Sequence, residues 1–448
     1  MKLILFANTD WYLYNFRRSL ALAAESEGHD VLLVSPAGPY GQKLIDLGLR
    51  WIPAPMERRS LNPFHELALL VWLWRLVRIE KADVVHSFTI KCAVYGGLAA
   101  RFAGAARVNA VAGMGYVFIS DEPLARALRP IVWTLLRLAL GGVRTRLILQ
   151  NIDDISLFEK TSIGFSAHIR LIPGSGVDCT RFLPPAKGER GGPLRVVLAA
   201  RMLWDKGVRE FVEAARTLKS QGRTLCFQLA GGPDAGNPAS IPESVLLDWE
   251  AAGLVDWLGH VDDMPALLAS ADIVVLPSYR EGLPKSLIEA AACARPLVTT
   301  DAPGCRDVVT DGVDGLLVPV CDALGLAQAI ARLQDDRLLA RRLGEAARSK
   351  ALAEYDERRI IASTLDVYYE LLGEPPTDAN QPKNGCRCIA ELSRRPNENS
   401  DRSSGLRASF SDLRRSRDAV KLCVTASTGS WCLLVPLGSR DREIAGRS

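Results

Sequence analysis

Ten apolar runs of four to six residues, separated by stretches with helical periodicity, restrict this chain to an alternating α/β architecture. Five fall early, at 2–6, 30–34, 83–86, 107–111 and 146–150, and five late, at 195–200, 225–230, 255–258, 272–276 and 296–300. Strand runs alternating with helices are the signature of a parallel sheet, which needs a crossover between neighbouring strands and helices over its faces. Between the two sets lies the Pro- and Gly-rich stretch 183–193, with Pro184, Pro185, Gly188, Gly191, Gly192 and Pro193. The expectation is therefore two doubly wound α/β domains facing a cleft, at 1–178 and 195–355, joined by a linker at 179–194. A last helical pattern runs over 356–372. From residue 374 the periodicity vanishes and Pro, Asn, Ser and Arg dominate, so 374–448 reads as a disordered tail with one apolar patch at 431–437.

Composition removes several function classes. The tail 374–448 holds 13 Lys or Arg against 9 Asp or Glu, and chain totals of 55 and 51 leave 42 of each in the remainder. A neutral body has no basic field with which to gather nucleic acid. The apolar start, Met1 to Ala7, is too short for a secretory leader and reads as a first strand, which points to the cytoplasm. Ten cysteines lie scattered, without Cys-x-x-Cys or zinc spacing, and only Cys386 and Cys388 are close together. The five histidines form no ligand motif, so no protein metal site or cofactor is expected. Gly113-Met114-Gly115 and Gly174-Ser175-Gly176 each supply a Gly-x-Gly, but neither continues to a third glycine opening a helix, and a dinucleotide cofactor is not indicated.

Chemistry concentrates after the run 272–276. There Pro277-Ser278 leads to Glu281-Gly282-Leu283-Pro284, and a helical pattern carries Glu289. A loop that opens a helix collects unpaired N–H groups and the positive end of the helix dipole, which suits a diphosphate. Glu281 and Glu289 then flank that position as acceptors for hydroxyl groups, as a hexose at one end and a ribose at the other would require. Acids at a helix start are also ordinary solvated residues, and what favours a site is a second cluster. The run 195–200 delivers Arg201 at its carboxyl end and is followed by Lys206-Gly207. These cations offset the repulsion between two carboxylates and a diphosphate, Arg201 as a fork and Lys206 as a point charge.

The first domain offers three loops at the corresponding edge of its sheet. They are the stretch from Asn8 through Asp10, Trp11 and Tyr12 to Phe16, the stretch from His86 to Lys91, and the stretch from Gly113 through Gly115 and Tyr116 to Phe118. Rings that stack on sugar faces and polar tips that read hydroxyls make Asn8, Asp10, Trp11, Tyr12, Lys91, Gly115 and Tyr116 candidates for an acceptor site. Core packing competes as an account of Trp11, Tyr12 and Tyr116, and a satisfied strand-end histidine as an account of His86. Two segments, 67–79 and 126–146, mix apolar residues and Trp with arginines. Too short or too interrupted to span a bilayer, they suit a membrane surface or the cover of the first sheet.

Arg201 with Lys206-Gly207, Gly259, Pro277-Ser278, Glu281-Gly282-Leu283-Pro284 and Glu289-Ala290 together resemble the donor site of retaining glycosyltransferase family 4, of the GT-B type with two Rossmann-like domains. The resemblance covers roughly residues 1 to 373. It implies transfer of a hexose or N-acetylhexosamine from a UDP-sugar to a polyprenyl-diphosphate-linked glycan, with the helix over 356–372 packing back on the first domain; the lack of a ligand motif makes metal-independent chemistry the expectation. It also implies that Glu281 holds the transferred sugar, Glu289 the ribose, and Arg201 and Lys206 the diphosphate, with donor contacts from Gly259, Gly282, Leu283 and Pro284. Glu281, Arg201, Lys206 and His86 are the catalytic candidates. The family's usual glycine before Arg-Pro is replaced by Ala294, and the second histidine of some relatives by Phe88. A UDP-sugar epimerase and a non-catalytic sugar-binding subunit remain alternatives at this point.

Overall fold

The computed structural model describes residues 1–58, 60, 62–111, 123–160, 168–185, 191–234 and 236–373. The expected disorder of 374–448 and the candidates Gly115 and Tyr116 lie outside the described residues. Two parallel sheets, both within one compact unit, organise the rest. The first has β1 (Lys2–Phe6), β2 (Asp30–Ser35), β3 (Arg50–Pro53), β4 (Val84–Phe88), β5 (Ala106–Ala110), β6 (Thr145–Leu149) and β7 (Ile169–Leu171), in the order β3-β2-β1-β4-β5-β6-β7. The second has β8 (Leu194–Ala199), β9 (Leu225–Ala230), β10 (Asp256–Gly259), β11 (Ile273–Leu276), β12 (Leu297–Thr300) and β13 (Leu316–Val318), in the order β10-β9-β8-β11-β12-β13.

Each of the ten expected runs carries a strand. The additional strands β3, β7 and β13 have only three or four residues each and lie at sheet edges.

Strand order fixes where ligands can bind. In the first sheet the winding reverses between β1 and β4, and in the second between β8 and β11. At such a reversal the loops leaving adjacent strands diverge and open a crevice at the carboxyl edge. The segment after β1 thus neighbours the segment after β4, and Arg201 and Lys206, after β8, neighbour Glu281, after β11.

The helix Glu357–Leu372 packs on the first sheet, where buried Ile360, Leu365 and Tyr368 join a core containing Leu3, Leu5 and Val108. The chain therefore passes between the sheets twice, and the passages meet: Val177 N donates to Tyr355 O at 2.8 Å, and Glu357 N donates to Val177 O at 2.9 Å. Ala294 adopts the left-handed conformation (φ 55°) in place of the glycine usual in the family. Ala294 N still reaches Ala291 O at 2.8 Å, so the turn is preserved. A Cβ in that region costs about 1–2 kcal/mol.

Candidate active site

The candidate donor side is built at the β8/β11 reversal. Pro284 caps the helix Lys285–Ala292, which starts one residue beyond it and aims its free N–H groups at the loop 281–284. Backbone contacts lock this loop's base to the loop after β8: Tyr279 N donates to Asp205 O at 2.9 Å and Ser278 Oγ donates to the same oxygen at 3.1 Å. Gly207 is essential to that approach, since it sits at φ 70° and a Cβ there would lie 2.0 Å from Pro277 O. Lys206, in the short 3-10 turn Trp204–Lys206, is thereby held against Glu281, with Nζ donating to Oε1 at 2.6 Å. Arg201 is half-exposed and its Nη1 donates to Asp234 Oδ2 at 2.6 Å. Both candidate cations are thus paired with carboxylates, and a bound diphosphate would compete for them. Gly259 ends the edge strand β10 at φ 62°, and its carbonyl accepts from Gly231 N at 2.7 Å.

Glu289 is buried on the helix Lys285–Ala292. Burial pushes its carboxyl up to about 7, and the Lys285 ammonium 4.0 Å away opposes this only in part. Lys285 itself is depressed by burial. Its Nζ donates to Asn15 O at 2.8 Å and lies 4.8 Å from the centre of the Phe16 ring, so it joins the helix Lys285–Ala292 to the helical segment 10–17 of the other domain, not to a loop as expected.

Among the acceptor-site candidates Trp11 is 41% exposed, with its ring edge-on to Phe16 at 5.3 Å. Tyr12 stacks on Phe16 at 5.0 Å, and its hydroxyl accepts from Arg17 at 3.1 Å. Asn8 is half-buried at the end of β1 and makes no side-chain hydrogen bond among the described residues.

Three candidates are corrected by their surroundings. The Asp10 carboxylate, at the start of the helix Asp10–Tyr12, is buried and accepts from the backbone N–H groups of Trp11 (2.8 Å), Tyr40 (2.6 Å) and Gly41 (2.9 Å), so it ties this helix start to the segment at 40–41 rather than facing a sugar. Lys91 is spent on Glu66 Oε1 (2.7 Å) and the carbonyls of Glu57 (2.7 Å) and Ser60 (3.0 Å), which leaves no free ammonium for an acceptor phosphate. His86 is 1% exposed, its Nδ1 lies 2.6 Å from Tyr368 Oη, and its ring packs on Phe88. Burial and then the nearby Arg17 hold its pKa well below the usual range, so it is a buried, neutral histidine, while its Nε2 has no hydrogen-bond partner among the described residues.

Residues that the sequence reading left without a role complete the site. Besides Asp234 and Lys285, they are Asn151, Asp154 and Arg280, which connect the two domains beside Glu281. The Arg280 guanidinium donates to Asp154 Oδ1, and Asn151 Nδ2 donates to Gly282 O at 2.7 Å. Asn151 stands just past the end of β6, where the carboxyl-edge rule points to a ligand site; only its partner across the cleft was hidden. No group of three or more His, Cys, Asp or Glu side chains able to hold a metal gathers among the described residues.

Comparison with known proteins agrees with this architecture. Residues 193–336 match the family described as glycosyl transferases group 1, and residues 2–151 match the glycosyl transferase 4-like family. The N,N'-diacetylbacillosaminyl-diphospho-undecaprenol alpha-1,3-N-acetylgalactosaminyltransferase of Campylobacter jejuni is 31% identical over 368 residues, covering 80% of this chain and 95% of that protein. The UDP-Gal:alpha-D-GlcNAc-diphosphoundecaprenol alpha-1,3-galactosyltransferase of Escherichia coli is 24% identical over 353 residues, covering 76% of this chain and 89% of that one. The crystal structure of Anabaena HepE in complex with UDP superposes with a TM-score of 0.68 at 17% identity, covering 83% of this chain and 100% of HepE. With its paired sheets, its two family matches and a relative aligned over nearly its whole length, the chain belongs to the family 4 glycosyltransferases and has their GT-B fold.

Proposed function

We propose that this glycosyltransferase moves a hexose or N-acetylhexosamine from a UDP-sugar, with retention of anomeric configuration, onto a polyprenyl-diphosphate-linked glycan in surface polysaccharide biosynthesis. The observation that carries the reading is the Lys206–Glu281 pair at 2.6 Å, set in the crevice before a helix that buries a second acid, Glu289. In this scheme Lys206, Arg201 and the helix start receive the diphosphate, Glu281 the transferred sugar and Glu289 the ribose. The bond from the sugar's anomeric carbon to UDP breaks as the acceptor hydroxyl attacks the same face, and its proton passes to the departing phosphate oxygen. Charge then grows on UDP, where fixed cations and N–H groups stabilise it with little reorganisation. The names of the C. jejuni and E. coli relatives support a lipid-diphosphate acceptor, and the E. coli name a UDP-linked donor.

The test is to incubate the protein with a panel of UDP-sugars and undecaprenyl-diphosphate-linked acceptors and weigh the products. One UDP-sugar is expected to add a single sugar mass, with transfer persisting in EDTA. Conversion of a UDP-sugar without any acceptor would instead indicate an epimerase, and loss of transfer in EDTA would refute the metal-independent scheme.

The reading includes contact with the inner face of the cytoplasmic membrane. No helix of the described residues is long and apolar enough to cross a membrane. The helix Pro63–Glu80 exposes Phe64 (80%), Leu67 and Ile79 (74%) beside Arg75 and Arg78, and Ile131 and Leu138 are exposed on the helix Pro123–Leu140. Apolar side chains interleaved with arginine favour an anionic lipid surface. The protein is expected to sediment with vesicles containing anionic lipid, and Phe64→Asp with Leu67→Asp to reduce the bound fraction severalfold. Equal sedimentation of the wild type with neutral vesicles would count against a surface-charge contribution.

A further inference from the structure

Glu281 has both of its chain neighbours tethered to the opposite domain. On one side the Arg280 guanidinium donates to Asp154, and on the other the Gly282 carbonyl accepts from Asn151 Nδ2 at 2.7 Å. Asn151 and Asp154 are fully buried, and they fix each other. Asp154 N donates to Asn151 Oδ1 at 2.7 Å, while Asn151 Nδ2 also reaches Asp154 Oδ2 at 3.0 Å. Glu281 is fixed from its own domain as well. Its N–H donates to Pro303 O at 2.9 Å, and its carbonyl approaches Gly304 so closely that a Cβ there would lie 2.4 Å away.

A buried carboxylate is expensive unless it is paired and hydrogen-bonded, so a simple domain contact would be built more cheaply from apolar residues. Here the buried acid and amide spend their bonds on the two positions either side of the residue that grips the sugar. Burial raises the Asp154 pKa, opposed by the Arg280 charge, and the pair is therefore sensitive to losing either partner.

We propose that Asn151 and Asp154 are positioning residues for sugar transfer, through which the first domain sets the orientation of the Glu281 carboxylate. The inference rests on the role given to Glu281 above. It means that the donor-sugar grip is complete only while the two domains hold this arrangement, so transfer depends on a contact that touches neither substrate.

A double-mutant cycle on the full chain tests this. Alone, Asn151→Ala is expected to lower kcat by about 10- to 100-fold, the scale expected when a reacting group is displaced by about 1 Å, with UDP affinity by calorimetry changed less than about threefold. In a Glu281→Gln background the same change is expected to cost less than about twofold, because residues that act through one group are non-additive. Arg280→Lys, which keeps the charge, is expected to retain more of kcat than Arg280→Met. Asn151→Asp keeps the volume while setting an acceptor against the Gly282 carbonyl, and serves if Asn151→Ala fails to fold. It too is expected to lower kcat at near-constant UDP affinity. Losses that multiply in the Glu281→Gln background, or an unchanged kcat, would overturn the positioning role. Full-rate transfer by Glu281→Gln alone would instead remove the functional reading on which it stands.

Discussion

Lys206→Ala is expected to lower kcat by about 100- to 1,000-fold while the donor KM moves only severalfold. A fixed donor aimed at charge that develops during reaction is worth about 3–4 kcal/mol of barrier. Lys206 is held in place by the turn Trp204–Lys206 and by Gly207 seated against Pro277, so its ammonium needs little rearrangement to act. The substitution also strips Glu281 of its 2.6 Å partner and leaves a mostly buried carboxylate beside the incoming diphosphate. Arg201→Ala is expected to cost less, because Arg201 is half-exposed and already engaged with Asp234. Steady-state rates with saturating acceptor give both values. A Lys206→Ala enzyme turning over within about twofold of wild type would remove leaving-group stabilisation from the scheme.

Acid is expected to weaken the donor complex through Glu289. Burial places its carboxyl at about 7 in the ligand-free protein, so below neutrality it gains a proton and loses the charge that strengthens hydrogen bonds from ribose hydroxyls. If the ionised form does the binding, donor KM climbs by up to tenfold for each pH unit below 7, about 30-fold by pH 5.5. Glu289→Gln is expected to flatten this slope while raising KM at pH 8. Stability moves the opposite way. The folded pKa of about 7 lies above the ordinary 4.5, so this group's contribution is fully present below about 4.5 and is lost as pH rises towards 7. A donor KM independent of pH between 5.5 and 8 would show that the Glu289 charge does not report on ribose.

The fold was legible because parallel strands covered by helices leave continuous apolar runs, and ten of them survive inspection of the sequence alone. The edge strand Arg50–Pro53 escaped because it ends in a proline, which reads as a turn rather than as a strand. The placement of Arg201, Lys206, Glu281 and Glu289 around one reversal of the second sheet was legible because it depends only on strand ends and a helix start. Asp10, Lys91 and His86 misled for one shared reason. A polar residue at a strand's carboxyl edge has the same sequence signature whether it faces a ligand or satisfies its own fold. Asp10 serves backbone N–H groups and Lys91 serves carbonyls, while His86 meets Tyr368, 282 residues away. Asn151 and Asp154 stayed hidden because their partners, Gly282 and Arg280, lie about as far from them in sequence as one whole domain.

The return of Glu357–Leu372 to the first sheet makes the half built on the second sheet an insertion within the half built on the first. A chimera that exchanges the second sheet must therefore graft the segment between Val177 and Tyr355 as a cassette, retaining both of its seams from the recipient. A simple head-to-tail fusion of the two halves would strip a helix from the recipient's core and expose Tyr368 to water.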